Sequence, residues 1–242
     1  MKAYEARHYL LKASLLWDKV EDINVYPYTL PVLKGFEEII FHPKVTFLVG
    51  ENGAGKSTLV EALAIAWGFN PEGGSKNFNF KTAEAHSSLH EKLRLTKGPR
   101  RFYDGFFLRA ESFFNVVTNI DELGVSGYGG KSLHARSHGK SFFDLLDHRF
   151  RGQGLYILDE PEAALSPSRQ MSMLVRMHDL IAKDSQFIIA THSPILMAYP
   201  DAQIYQISKS GIDPIAYEDT EHFQVTKTFL NRHEQMLEQL FG

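Results

Sequence analysis

The chain contains no cysteine. That excludes a disulfide framework and thiolate-ligated zinc, and it fits a reducing compartment, which points to the cytoplasm. No apolar run approaches the roughly 18 residues that a bilayer-spanning helix needs, and the N-terminus has no apolar stretch of the signal-peptide kind. Direct membrane insertion is therefore not expected, and a membrane role would have to run through a partner. Charge of one sign is also lacking: 26 Lys and Arg stand against 29 Asp and Glu, a formal net charge of −3. Such a balance gives no global field for nucleic acid or acidic lipid. Glutamine is missing from the whole stretch between Ser57 and Gln153. Internal repeats and low-complexity tracts are absent as well.

What is present suits one α/β domain with an inserted lobe. The chain has 242 residues, of which 43% are apolar and 12% aromatic, enough to fill a sizeable core. Val45–Val49, Leu155–Asp159 and Gln186–Ala190 read as buried strands, and Ile204–Ile207 and Ile212–Tyr217 as weaker ones. Leu59–Trp67 is apolar nearly all round, a helix buried within the fold. Residues 70–104 are polar and interrupted by Pro71, Gly73, Gly74, Gly98 and Pro99, so an irregular insertion is expected, with a short helix near residues 83–93. Gly105–Arg109 reads as a strand and Ser112–Ile120 as a helix. Ser166-Pro167 is a helix start, and Met171, Leu174, Val175, His178 and Ile181 share one face of the helix that follows. Phe229, Leu230, His233, Met236, Leu237, Leu240 and Phe241 recur at helical spacing, most simply a C-terminal helix docked on the core. Strands alternating with helices imply a mainly parallel sheet covered on both faces.

Gly50-Glu51-Asn52-Gly53-Ala54-Gly55-Lys56-Ser57 matches the phosphate-binding pattern G-x-x-x-x-G-K-[ST] in full. Glycines let successive N–H groups turn inward on an anion, and the helix that begins at Lys56 adds its positive end. Asn52, Gly53, Ala54, Gly55, Lys56, Ser57 and Thr58 are the expected phosphate-binding set, with Lys56 as a point charge on the β- and γ-phosphates and Ser57 on Mg²⁺. The apolar strand ending in Asp159-Glu160-Pro161 delivers carboxylates to the open end of the sheet, where ligands bind. Asp159 would hold Mg²⁺, and Glu160 would orient or deprotonate an attacking water. ATP and Mg²⁺ are thus the expected cofactors.

The order of these motifs resembles the ABC-type P-loop ATPases over roughly residues 20–210. The resemblance implies an ABC-like, mainly parallel sheet with a small helical lobe, here about residues 106–150. It makes Glu162–Ser166 the D-loop, and His192 in Thr191-His192-Ser193-Pro194, 33 positions after Asp159, the histidine that senses the γ-phosphate. Ser137-His138-Gly139-Lys140-Ser141 resembles a divergent signature motif, whose Ser137 and Gly139 would grip the γ-phosphate bound to a second subunit. An ATP-dependent homodimer is the implied assembly. Three departures stand out. The family's Q-loop glutamine is missing, with Glu111 the best stand-in as a third metal-site residue. The D-loop ends in Ser166 rather than Asp. Only 103 positions separate Lys56 from Asp159, too few for a long coiled coil, which argues against proteins of the SMC type. The Asp-Glu-Pro-Glu…Ser-Pro pattern is closer to stand-alone and OLD-like bacterial AAA/ABC ATPases than to transporters. With 50 residues after His192, no toprim-like nuclease domain is expected to follow.

Other signals leave alternatives open. Tyr26 and Tyr28 lie near where the family stacks an aromatic on adenine, and ordinary packing fits them equally. The basic and aromatic residues of 70–104 suit either nucleic-acid contact or a solvated loop, and the loop is the simpler reading. His134 and His138 lack an evident third metal ligand. The expectation is therefore an ATP-hydrolysing, ATP-gated homodimeric switch in DNA maintenance or phage defence. A transporter's nucleotide-binding subunit and a non-hydrolysing, ATP-dependent scaffold are the alternatives, and a protein partner or nucleic acid the possible client.

Overall fold

The structure is a computed structural model and describes residues 8–74, 87–101, 103–110, 143 and 146–242. The described elements run β1 (Leu10–Leu15), β2 (Glu38–Ile40), β3 (Val45–Gly50), α1 (Lys56–Trp67), α2 (Leu89–Lys92), β4 (Leu93–Lys97), β5 (Asp104–Arg109), β6 (Gly154–Asp159), α3 (Pro167–Ala182), β7 (Gln186–Ala190), α4 (Pro194–Met197), β8 (Gln203–Ser208), β9 (Gly211–Pro214) and α5 (Glu221–Phe241). A six-stranded sheet has the order β5-β6-β7-β3-β8-β9, and a three-stranded sheet the order β2-β1-β4. In the larger sheet every pair is parallel except β8 with β9. The smaller sheet is antiparallel.

Every residue of β3, β6 and β7 is buried, which is why these segments read as continuous apolar runs instead of alternating ones. Side chains of a strand still alternate in direction, so the sheet feeds two cores. Val45, Phe47, Tyr156, Leu158, Phe187 and Ile189 pack on one face against Met173, Met177 and Leu180 of α3. Leu48, Leu155, Ile157 and Ile188 pack on the other against Leu59, Val60 and Leu63 of α1 and against Leu10 and Ala13 of β1.

One polar side chain ties the two sheets together. Gln186 is fully buried at the start of β7. Its Oε1 accepts the N–H groups of Tyr9 (3.1 Å) and Leu10 (2.9 Å), and its Nε2 donates to the carbonyls of Leu10 (2.8 Å) and His42 (3.1 Å). All four hydrogen-bonding positions of the amide are used, so its burial carries no unsatisfied group.

Four details differ from the sequence reading. Within 70–104, residues 93–97 form β4, which pairs with β1 from Leu15↔Leu93 to Leu10↔Lys97; its short mixed pattern hides a strand that pairing creates. Residues 106–109 overlap the range given for the helical lobe but belong to β5 at the edge of the central sheet, the strand expected over Gly105–Arg109, so a lobe can start only after it. The buried stripe of α3 is Gln170, Met173, Met177 and Leu180, while Met171 and Val175 are exposed at 56% and 65%. The stripe is rotated because Gln170 turns inward to bond Leu165 O and Ser193. Finally, α5 is docked only by its first turn: it has no buried residue and is kinked at Arg232. Leu230, Leu240 and Phe241 are exposed. Its apolar spacing satisfied helix formation without a surface to cover it.

Candidate functional site

The loop between β3 and α1 requires glycine at two points. At Gly50, φ is +149° and a Cβ would lie 2.4 Å from Ile207 O of β8. At Gly55, φ is +97°, and a Cβ would lie 2.6 Å from Val32 Cγ1. A left-handed residue there starts α1, whose first N–H groups have no helical acceptor and face the loop. Lys56 is 4% exposed, and its Nζ donates to Gly50 O at 2.9 Å and Glu51 O at 3.0 Å. Burial lowers its pKa, against the pull of the carboxylates of Glu160, Asp159 and Glu162. Asn52, Gly53 and Ala54 line a cleft of about 640 Å³ together with the β8–β9 turn, Ser208 to Ser210. The Thr58 Oγ1 lies 3.4 Å from the hydroxyl of Tyr26.

Strand β6 brings the acids to the same end of the sheet. Asp159 is 6% exposed, and its Oδ1 accepts from Ser57 Oγ at 3.0 Å. Arg109, at the end of the neighbouring β5, has its Nε 3.9 Å from Asp159 Oδ2 and its Nη1 2.5 Å from Glu61 Oε2 of α1. Glu160 leaves the strand in the left-handed region, φ +50° and ψ +49°, costing on the order of 1 kcal/mol, with its N–H bonded to Ala190 O. Its Oε1 lies 3.5 Å from His192 Nε2. The His192 N–H donates to Glu162 Oε1 at 2.5 Å, and His192 Nδ1 lies 2.9 Å from His222 Nε2. Burial lowers the pKa of His192, as do the Lys56 charge and the neighbouring His222, which would repel a second proton, and this favours the neutral imidazole. Burial raises the pKa of Glu162, against its bond from the His192 N–H.

Ser57 Oγ and the Asp159 carboxylate are hard oxygen donors that fit Mg²⁺. Among the described residues, no cluster of three or more His, Asp or Glu could hold a metal ion by itself. A cation at this pair would draw its other ligands from phosphate and water, as Mg²⁺ characteristically does.

Comparison with known proteins bears on the class of domain. Residues 21–115 match a family described as "AAA domain", and residues 139–198 one described as "AAA domain, putative AbiEii toxin, Type IV TA system". Both matches are to AAA domains, and the chain resembles the AAA/ABC-type P-loop ATPases. This ATPase domain is 25% identical over 223 residues to the cobalt import ATP-binding protein CbiO of Salmonella typhi, covering 84% of this chain and 79% of that protein. It is 28% identical over 190 residues to the xylose import ATP-binding protein XylG of Pseudomonas syringae, covering 66% of this chain but 35% of the relative. The domain thus spans about a third of that relative's length. In fold it is similar to cbiO1 from Clostridium perfringens, part of the ABC transporter complex cbiONQ, with a TM-score of 0.51, 17% identity and coverage of 96% and 99% of the two chains.

The ATPase domain thus gathers Lys56, Ser57, Asp159, Glu160 and His192 at one end of its central sheet. Glu111, Ser137 and Gly139, and with them His134 and His138, lie outside the described residues. Four residues of the neighbourhood had no role there in the sequence reading. Glu162 was placed only as the start of the D-loop. Arg109, Glu61 and His222 had no local signal. Of the two candidate aromatics, Tyr28 is half-buried near Trp17, with ring centroids 6.4 Å apart. Tyr26 is 63% exposed beside Thr58.

Proposed function

We propose that this ABC-type domain hydrolyses ATP to ADP and phosphate in a Mg²⁺-dependent reaction, and that two copies close on the nucleotide as an ATP-gated homodimeric switch. The observation that carries the reading is the approach of Glu160 Oε1 to His192 Nε2 at 3.5 Å, beside the Ser57–Asp159 contact. A carboxylate able to take a proton from water and an imidazole able to meet a γ-phosphate then flank one anion cradle. Lys56 and the loop N–H groups bind the phosphates. Glu160 orients the water and accepts its proton during in-line attack, and His192 donates from Nε2 to the γ-phosphate oxygen. Bound at Ser57 and Asp159, Mg²⁺ would neutralise charge developing between the β- and γ-phosphates. Tyr26, exposed beside Thr58, is the residue proposed to stack on the adenine.

The half-site is completed in trans by Ser137 and Gly139 of the second copy, with Glu111 as the stand-in for the missing glutamine. The switch would act in the cytoplasm, in DNA maintenance or phage defence. The toxin–antitoxin wording of the family matched by residues 139–198 supports that direction. A second reading, the nucleotide-binding subunit of a transporter, is favoured by the import proteins among the relatives. A non-hydrolysing scaffold is the outcome if ATP binds without turnover.

Light scattering with saturating ATP tests the switch. Glu160→Gln protein should pass from monomer to dimer, and Ser137→Arg in that background should block the change. Mixed Ser137→Arg and Lys56→Ala subunits should recover part of the activity through one intact composite site. A protein that stays monomeric, or a mixture that gains nothing, would remove the dimer. Co-purification with a membrane permease would favour the transporter.

A further inference from the structure

His222 sits in the first turn of α5, 30 positions from His192, and meets it edge to edge: His192 Nδ1 lies 2.9 Å from His222 Nε2, with ring centroids 5.0 Å apart. Both imidazoles have lowered pKa values, His222 by burial and by Lys56, against the pull of Glu221. The contact is therefore between two neutral rings, in which one nitrogen must donate and the other accept. The surroundings decide which. His222 Nδ1 is buried with no hydrogen-bond partner among the described residues. If His192 Nδ1 donated, the neutral His222 would have to carry its proton on that buried Nδ1, an unpaired N–H. His192 Nε2 would then be a bare lone pair facing the Glu160 carboxylate at 3.5 Å. When His222 Nε2–H donates to His192 Nδ1, the buried His222 Nδ1 is left as an acceptor only, and the proton on His192 Nε2, which has no hydrogen-bond partner among the described residues, faces the Glu160 carboxylate in place of a lone pair. The proton of His192 is then on Nε2, directed at Glu160 and the phosphate cradle.

We infer that His222 is a positioning residue, which holds His192 in the Nε2–H tautomer that the γ-phosphate contact requires. Its place supports the role. Thr220 caps α5 by accepting the Phe223 N–H, and the Phe223 ring packs on Tyr217 at 4.7 Å, so the first turn is fixed while the rest of α5 is exposed. The positive end of the helix also disfavours a protonated imidazole at this position. Other charged groups around the pair are Glu160 and Lys56 across the site and Glu162, whose carboxylate accepts the His192 N–H.

The role rests on the proposed hydrolysis, but the tautomer does not, and the two are measured separately. Nitrogen-15 NMR of histidine-labelled wild-type protein at pH 8, with His192 and His222 assigned by single-substitution samples, reads the tautomers without nucleotide. The expected result is a protonated Nε2 and an unprotonated Nδ1 on His192. His222→Phe keeps a ring but cannot donate; it should move His192 towards a mixed tautomer and lower kcat by about tenfold to a hundredfold, the scale for removing the outer hydrogen-bond partner of a site histidine. The KM for ATP should change little. His222→Gln, whose side-chain N–H₂ still donates, should restore most of the rate. A wild-type His192 protonated on Nδ1 overturns the inference. So does a Phe variant that hydrolyses ATP at the wild-type rate, or a Gln variant as slow as Phe. If wild-type protein hydrolyses nothing, the proposed function fails, while the spectrum still decides the tautomer.

Discussion

Ser57 and Asp159, 102 positions apart in the chain, touch through their side chains at 3.0 Å. The hydroxyl comes from the first turn of α1 and the carboxylate from the last residue of β6, two strands away from β3 in the sheet order. The parallel arrangement makes this possible, because the C-terminal ends of all its strands open on the same edge.

Lys56 and Glu160 should separate binding from chemistry. Lys56→Ala removes the point charge on the phosphates and should abolish ATP binding in equilibrium dialysis. Glu160→Gln keeps the cradle and should retain binding while hydrolysis falls by about a hundredfold or more, the usual weight of a general base. Phosphate release from Glu160→Gln at the wild-type rate would reject the assignment.

Tyr26 and Tyr28 should respond differently to truncation. Tyr26 is exposed, so Tyr26→Ala should leave the thermal midpoint unchanged and weaken ATP by about tenfold, the lower part of the range for losing one base stack. Tyr28 packs against the core that includes Trp17, so Tyr28→Ala should lower the midpoint and act on ATP only through folding. Equal nucleotide affinity in wild-type and Tyr26→Ala protein would end the stacking proposal.

Gln186→Leu should cost the protein stability without touching the nucleotide cleft. The substitution strands the N–H groups of Tyr9 and Leu10 and two carbonyls, those of Leu10 and His42. At roughly 1–3 kcal/mol for each buried polar group left unpaired, a loss of about 3 kcal/mol or more is expected in urea unfolding. A loss under about 1 kcal/mol would mean that the two sheets are held together by their apolar contacts alone.

Acid should weaken the fold before it reaches the carboxylate range. His8, His42, His192 and His222 all have pKa values lowered from 6.5, mainly by burial. Below that value the unfolded chain takes up protons that the folded chain refuses, so stability is complete above about 6.5 and falls as pH drops towards the lowered values. Glu162 works in the opposite sense, since its pKa is raised from 4.5 and protonation there favours the folded state. Urea midpoints at pH 7.5 and 5.5 should therefore be ordered with the higher pH more stable. Equal midpoints would show that the four rings are not desolvated as described.

The sequence by itself determined the elements whose evidence is local. A loop that must curl around an anion needs its glycines, lysine and serine in consecutive order. Val45–Gly50, Gly154–Asp159 and Gln186–Ala190 are buried on both faces and so are mostly apolar, with Thr46, Asp159 and Gln186 the polar exceptions. Glu160 could be named because it follows such a strand, and His192 because its spacing from Asp159 resembles that of the ABC-type ATPases. The tertiary structure alone decided what depends on pairing across the chain. β4 exists as a strand because β1 is there to bond it, and its own pattern of Leu93-Arg94-Leu95-Thr96-Lys97 is too short to declare it. Gln186 is an ordinary strand residue until Tyr9, Leu10 and His42 converge on its amide. The inward face of α3 was set by Gln170 finding Leu165 and Ser193, and not by the largest apolar stripe. Beyond its first turn, α5 carries an apolar pattern that only helix formation explains, because no residue of the helix is buried. Nothing near His222 in sequence announces a partner; only the fold sets its ring against His192, since hydrogen-bond geometry between residues 30 positions apart is a property of the packed chain.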